Sequence, residues 1–243
     1  MSRKFKLLYA GIRAVIKHEG IKSLISRGFV FLSHRFFLID NYYVSNRDLT
    51  KLRDEDEKEF LPKLDNFCVR MISTNNEADE LLAEGLTFGA YELNLRDSLD
   101  KDVISICIFV ENELASIHCI ADNEKSKKIV DFRPLPVNFK NGDVVGGRAL
   151  TIPKFRRFHL RVYSGYLLRK YYRSKKYIKA VGSFGIKNYP ALTNATRFPD
   201  LKIVAKCLYI KILWFRYYKE REIGPYSVKE ILEQKPEYAK YIK

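Results

Sequence analysis

Residues 142–176 read GDVVGGRALTIPKFRRFHLRVYSGYLLRKYYRSKK, and their order decides the fold. Asn141-Gly142-Asp143 is a turn that opens a β-rich run, Val144–Ile152, which Pro153 ends. Gly146-Gly147 marks a bulge or a close backbone approach inside that strand. After the loop PKFRRFHLR the apolar spacing becomes helical over 162–176. Val162, Tyr166, Leu167 and Tyr171 fall on the inner side, and Arg169, Lys170, Arg173 and Lys176 on the outer side. Between Asp143 and Asp200 there is no acidic residue. Such a one-sided stretch repels itself, which points to an anionic partner: a cofactor phosphate, a nucleic acid or a membrane surface.

Downstream, Ile178–Ile186 reads as a strand and Pro190–Arg197 as a short helix that proline opens. Lys202–Phe215 reads as a last long strand, and 220–243 as an amphipathic helical tail covering the sheet. Upstream, Phe67–Ile72 is β-rich, and a helix over Glu77–Ala83 is capped by Asn75 or Asn76 and ended by Gly85. Val103–Val110 and Leu114–Ala121 form a hairpin through Glu111-Asn112-Glu113. Alternating helix and strand of this kind predict an α/β (α+β) domain over 67–219.

Residues 1–45 predict a basic helical extension. A helix over 4–18 puts Leu8, Ile12, Val15 and Ile16 on one face, Gly20 stops it, and a second apolar-basic segment runs from Ile21 to Ile39. Glu19 is the sole acid up to residue 39. Residues 46–66 are charged and read as a linker or an exposed helix. Net charge is +15, which favours contact with anionic surfaces and says nothing about fold. The 47% hydrophobic content is enough for a core and argues against disorder. Cys68, Cys107, Cys119 and Cys207 stand far apart with no C-x-x-C pair, so buried free thiols in a reducing cytoplasm are expected, and no metal site. No unbroken apolar run reaches the ~18 residues that span a bilayer. Arg13 and Lys17 interrupt any signal-peptide core. The expected location is cytoplasmic, with 1–39 suited to lie on an anionic inner membrane face.

The order strand, PKFRRFHLR loop, helix, strand, Asn188, short helix, strand resembles the GNAT superfamily of acyl-CoA-dependent N-acyltransferases. The resemblance covers roughly 67–215 and is densest from Gly142 to Phe215. It is most similar to the subset found with envelope-polysaccharide genes, which ends in a strand like that from Ala205 to Phe215. It implies a GNAT-like mixed, mostly antiparallel central sheet flanked by helices. The implied ligands are acetyl-CoA or another acyl-CoA and an amine acceptor, such as an amino sugar or a lipid-linked sugar at the inner membrane face. In the family motif P-x-[YF]-R-G-x-G-x-[GA] the loop amides and the following helix N-terminus cradle the CoA pyrophosphate. Pro153, Phe155 and Arg156 match it, while the glycine positions carry Arg157, His159 and Arg161. Guanidinium charge suits phosphate and can stand in for part of the amide donation. Phe158 and Leu160 complete the loop. The resemblance further implies that a backbone N–H near Leu150, Thr151 and Ile152 polarises the thioester carbonyl, and that Asn188 and Ala191 hold the pantetheine arm. Ala195 stands where the family often has a Tyr or His that protonates the departing thiolate. His118 or Glu92, chosen by position, would take the amine proton.

Each of these residues also has a plainer role. His118 lies in an alternating strand where a core histidine is common, Glu92 suits the surface, and Asn188 suits a helix cap. The basic loop can be a solvated turn, and the Gly146-Gly147 pair a sheet irregularity. Two other functions stay open. One is a catalytically degenerate GNAT-like fold acting as a membrane-associated partner. The other is a nucleic-acid binder with Phe155, Phe158, Tyr163, Tyr171, Tyr172 and Tyr177 as stacking platforms, although no reader motif is present.

Overall fold

The computed structural model describes residue 16 and residues 20–22, 36–52 and 55–234. Its strands are β1 (Phe37–Asp48), β2 (Phe67–Ile72), β3 (Ile104–Val110), β4 (Glu113–Ala121), β5 (Asp143–Thr151), β6 (Lys179–Gly185), β7 (Lys202–Ile212) and β8 (Phe215–Ser227). Its α-helices are α1 (Asn75–Ala83), α2 (Glu92–Leu99), α3 (Glu124–Val130), α4 (Leu160–Ser174), α5 (Tyr189–Ala195) and α6 (Val228–Glu233). The strands form one sheet in the order β2-β3-β4-β5-β6-β1-β7-β8. Every neighbouring pair is antiparallel except β5 and β6. The mixed, mostly antiparallel sheet flanked by helices is therefore the observed architecture.

Both faces of the centre are covered, so β3 and β4 are buried almost without a break. Leu81, Leu95, Leu99 and Val130 of α1, α2 and α3 pack on one face against Cys107, Phe109 and Cys119. On the other face, α4 sets Leu160, Val162 and Tyr163 against Ile108, and Leu168 and Tyr172 against Ile106, Ile120 and Val144. The α1 cap is Thr74 rather than Asn75 or Asn76. Its side chain accepts from the Glu77 amide while Glu77 reaches back, a full capping box.

Three expectations change. Phe37–Asp48 is not part of a helical extension over 1–45. It is an aromatic-rich strand hydrogen-bonded between β6 and β7, with Tyr42, Tyr43 and Val44 buried. The helix expected over 4–18, and most of the segment 1–39 expected to face a membrane, lie outside the described residues. The last long strand is two strands, β7 and β8, joined at Leu213-Trp214, so among the described residues the tail from 220 is strand as far as Ser227 and helical over Val228–Glu233. Finally, Arg169 points inward. Its side chain is 2% exposed, and it donates to Glu55 from the charged segment ahead of β2.

Candidate active site

The one parallel pair makes the site. β5 and β6 are in register only at Asp143–Lys179, Val144–Ala180 and Val145–Val181. Beyond that β5 continues against β4 alone and β6 against β1 alone. The parting coincides with a bulge. Leu150 pairs with Ile117 and Gly147 with Cys119, so Arg148 and Ala149 together oppose the single residue His118. Arg148 holds φ +42°, a left-handed value that costs energy for any residue with a Cβ. The glycines beside it serve packing. A Cβ on Gly146 would lie 2.7 Å from the Tyr172 hydroxyl, and one on Gly147 2.9 Å from the Val130 carbonyl oxygen.

A cavity of about 320 Å³ fills the open seam and reaches α4 and α5. Arg47, Arg133, Arg148, Arg161 and His118 line it, and among the described residues no Asp or Glu does. Carboxylates sit behind two of these cations. Asp200 Oδ2 lies 2.7 Å from Arg47 Nε, an ion pair whose angle does not make a hydrogen bond. Asp40 accepts from Arg133 Nε at 2.7 Å. Arg148 donates to the neutral Ser98 hydroxyl at 2.7 Å. Arg161 Nη1 stands 2.6 Å from Nδ1 and 3.0 Å from Nε2 of His118. No described carboxylate pairs with Arg148 or Arg161.

Burial governs the titration of this cluster. It pushes Arg161 down to about 10, a value that still leaves the guanidinium charged at pH 7. It holds His118 well below the ordinary imidazole range, with the charges of Arg161 and Arg47 adding to the effect. The ring is therefore neutral and accepts from Arg161 at one nitrogen, while the Ser164 hydroxyl approaches Nδ1 at 3.4 Å. Tyr172 is fully buried in the cavity wall, its hydroxyl has no partner among the described residues, and burial raises its pKa so that it keeps its proton.

The loop after β5 folds in an unexpected way. Arg157 has φ +73° and His159 φ +61°. These are two of the positions where the family motif has glycine, and the backbone turns left-handed there without it. Among the described residues the amides of Arg157, Phe158 and His159 donate to no backbone carbonyl, and His159 caps α4 without a side-chain bond. Phe155 anchors the loop in the core, and the Phe158 carbonyl accepts from the Lys63 amide at 3.0 Å.

The expected site residues divide accordingly. His118, Arg161, Asn188 and Ala191 line the cavity, as does Ala195. Arg156 and Arg157 are exposed on the loop, beside Phe158, His159 and the buried Leu160, outside the cavity wall. Leu150 packs in the α1–α3 core, the Thr151 hydroxyl lies 3.2 Å from that of Ser116, and the Ile152 amide is committed to Ala115 at 2.9 Å, so it is not free to polarise a carbonyl. Asn188 caps α5, its Oδ1 accepting from the Ala191 amide at 3.3 Å. Glu92 is elsewhere. It accepts from Arg96 at 2.9 Å in an ion network with Asp79 that ties α2 to α1. Phe155, Tyr163 and Tyr172 are buried, so they build the core rather than a stacking surface.

Sequence reasoning missed Arg47, Arg133 and Tyr172 as cavity residues. Tyr172 follows the helical period onto the inner face, but Arg47 and Arg133 lie in segments whose spacing gave no signal.

Strand, loop, helix, strand, Asn188, short helix and strand succeed one another in space as they do in the chain. That is the succession of elements which the resemblance to the GNAT superfamily implied. No family model matches the chain, and no curated protein matches it in sequence. Solved structures similar to it include a Drosophila protein, at 13% identity and a TM-score of 0.45, over 79% of this chain and 58% of that one. A fungal GCN5-related glucosamine N-acetyltransferase region of a multi-domain beta-N-acetylglucosaminidase is similar at 9% identity and a TM-score of 0.46, over 80% of this chain and 22% of that one. A GCN5-related N-acetyltransferase from Kribbella flavida is similar at 10% identity and a TM-score of 0.35, over 65% of this chain and 53% of that one. In each case the chain spans less than two thirds of the other structure's length.

Proposed function

We propose that the protein is an acyl-CoA-dependent N-acyltransferase that transfers an acetyl or other acyl group to an amino group. The observation that carries this reading is the parting of β5 and β6 over a cavity, beside a loop whose Arg157 and His159 hold left-handed backbone with free amides. The residues present fit an acyl-CoA. The amides of 157–159 and the N-terminus of α4 suit a pyrophosphate, and Arg156 and Arg157 add charge. Asn188 and Ala191 in the cavity wall suit the pantetheine arm. Bound acyl-CoA supplies an activated thioester.

Around it the chain's own groups divide the proton work. Neutral His118 is the base in the wall, and it takes the amine proton, directly or through water, only once Arg161 releases its one accepting nitrogen. Ala195 cannot donate a proton to a departing thiolate, and the Tyr172 hydroxyl is the one phenol in the wall. The acceptor in this reading is an amino sugar or a lipid-linked sugar at the inner membrane face, supported by the net charge of +15.

Titration of acetyl-CoA by calorimetry tests the reading. Wild type should bind, and Arg156→Ala and Arg157→Ala should bind more weakly; no binding by wild type at millimolar ligand sinks it. Ala195 in the cavity wall favours a second reading, a degenerate GNAT-like partner protein. That reading expects no turnover with any amine even if acetyl-CoA binds.

A further inference from the structure

The seam runs through the sheet, and its two mouths differ. Gly146 faces α4, where a Cβ would meet Tyr172 and Leu168, whereas Gly147 faces Val130 of α3. Side chains alternate along a regular strand, so Arg148 would follow Gly146 towards α4. It does not. The left-handed bulge at Arg148 breaks the alternation, and its guanidinium reaches Ser98 on α2. Arg133 lies on the same side. Asp40 and the Ser183 hydroxyl, at 2.7 and 2.9 Å, orient it from behind, and its Nη2 would lie 3.7 Å from a Cβ on Gly185 at the seam. Asp131 stands further back, 3.9 Å from Arg133 Nη1, and neither Asp40 nor Asp131 enters the cavity wall. The loop amides and α5 lie towards the opposite mouth, with α4, while Asn188 stands between the two, its Cβ 3.8 Å from the place a Cβ on Gly185 would take. A pyrophosphate seated at the loop amides leaves the guanidinium of Arg148 unused at the α2/α3 mouth, with Arg133 in the same cavity wall.

We propose that the amine acceptor carries an oxyanion, a carboxylate or a phosphate, which Arg148 and Arg133 bind at the α2/α3 mouth of the seam. Two features single out Arg148. Its backbone is held at a φ that disfavours residues with a Cβ, and its exposed guanidinium is positioned by a neutral hydroxyl with no described carboxylate paired to it. The bulge thus spends conformational energy to turn a cation into the mouth. This inference rests on the acyltransferase reading for the word acceptor, but not for the anion site itself.

The test uses three small amines built on the same two-carbon spacer: O-phosphoethanolamine, β-alanine and ethanolamine. Each is titrated calorimetrically into the full chain and each is offered with acetyl-CoA in a transfer assay. At least one anionic amine should bind about tenfold or more tightly than ethanolamine, since paired guanidinium donors strengthen oxyanion hydrogen bonds. The phosphate and carboxylate arms show which oxyanion is preferred. Arg148→Gln, at an exposed position, should abolish the preference, and Arg148→Lys should keep part of it. Equal binding of all three amines overturns the proposal, as does a preference that survives Arg148→Gln, or no binding of either anionic amine at millimolar concentration. Arg148-dependent binding of an anionic amine without any acetyl-CoA binding upholds the anion site and removes the acyltransferase reading instead.

Discussion

The guanidinium of Arg169 donates to the carboxylate of Glu55 across 114 positions of sequence. Arg169 also stacks on Phe198, 4.1 Å from the ring centre, and on Phe60 at 5.0 Å. Glu57 adds a bond from the Tyr163 hydroxyl at 2.6 Å and an ion pair with Lys170 at 3.8 Å. The acid-free stretch therefore takes some of its counter-ions from the charged segment before β2. Removing one partner of a buried pair costs about 3–5 kcal/mol, and the partial exposure of Glu55 lowers that figure. Urea unfolding should show Glu55→Gln losing about 2–3 kcal/mol. Arg169→Met, which removes the charge and keeps apolar bulk, should lose less. The reverse ranking would mean that stacking outweighs the ion pair.

His118 gives the fold a pH signature. Its folded pKa is depressed, so the unfolded chain binds a proton that the folded chain refuses, and stability must rise with pH in that window. The contribution is fully present above the unfolded value of about 6.5 and falls by up to about 1.4 kcal/mol per pH unit below it. Between about pH 6.5 and 5.5, above the carboxylate range, wild type should lose stability faster than His118→Gln. His159, depressed more weakly by burial and by Arg197 and Lys63, leaves a smaller slope in the variant. Parallel curves for the two proteins would show that His118 is not buried neutral.

The left-handed loop predicts an inversion of the usual glycine penalty. At Arg157, φ +73°, glycine relieves the Cβ clash and alanine keeps it. Arg157→Gly should be more stable than Arg157→Ala by about 1 kcal/mol in thermal or urea unfolding. The same comparison at His159, φ +61°, should agree.

Tyr172→Phe separates a structural hydroxyl from a functional one. Removing a buried hydroxyl without a partner should leave stability unchanged or raise it by up to about 1 kcal/mol. If that hydroxyl protonates the leaving thiolate, kcat should fall by roughly 100-fold or more while KM for acetyl-CoA holds. An unchanged kcat would remove Tyr172 from the chemistry.

Local signals carried most elements between Phe67 and Ile212, but not α2, α3 or the division into β7 and β8. The β3–β4 hairpin, β5, α4 and α5 follow from β-branched runs, turn residues and helical spacing, because those preferences act within a few residues. The boundaries that failed did so for non-local reasons. Phe37–Asp48 straddles the expected helical extension over 1–45 and the charged segment after it, and becomes a strand because β6 and β7 hydrogen-bond it on both edges. Arg169 reads as an outward cation because its neutralising acid, Glu55, lies far away in the chain.

By itself the sequence determined the order of elements from β5 to β7, the acid-free basic stretch and the loop with cations where the GNAT motif has glycines, since each is a property of neighbouring residues. Only the tertiary structure decided that β5 and β6 part after three pairs, that Arg148 turns through a bulge to the far side of the sheet, and that Arg47, Arg133 and Arg161 converge with His118 on one cavity. Strand register and the position of carboxylates behind those cations depend on segments distant in sequence, and no local pattern encodes how such segments meet.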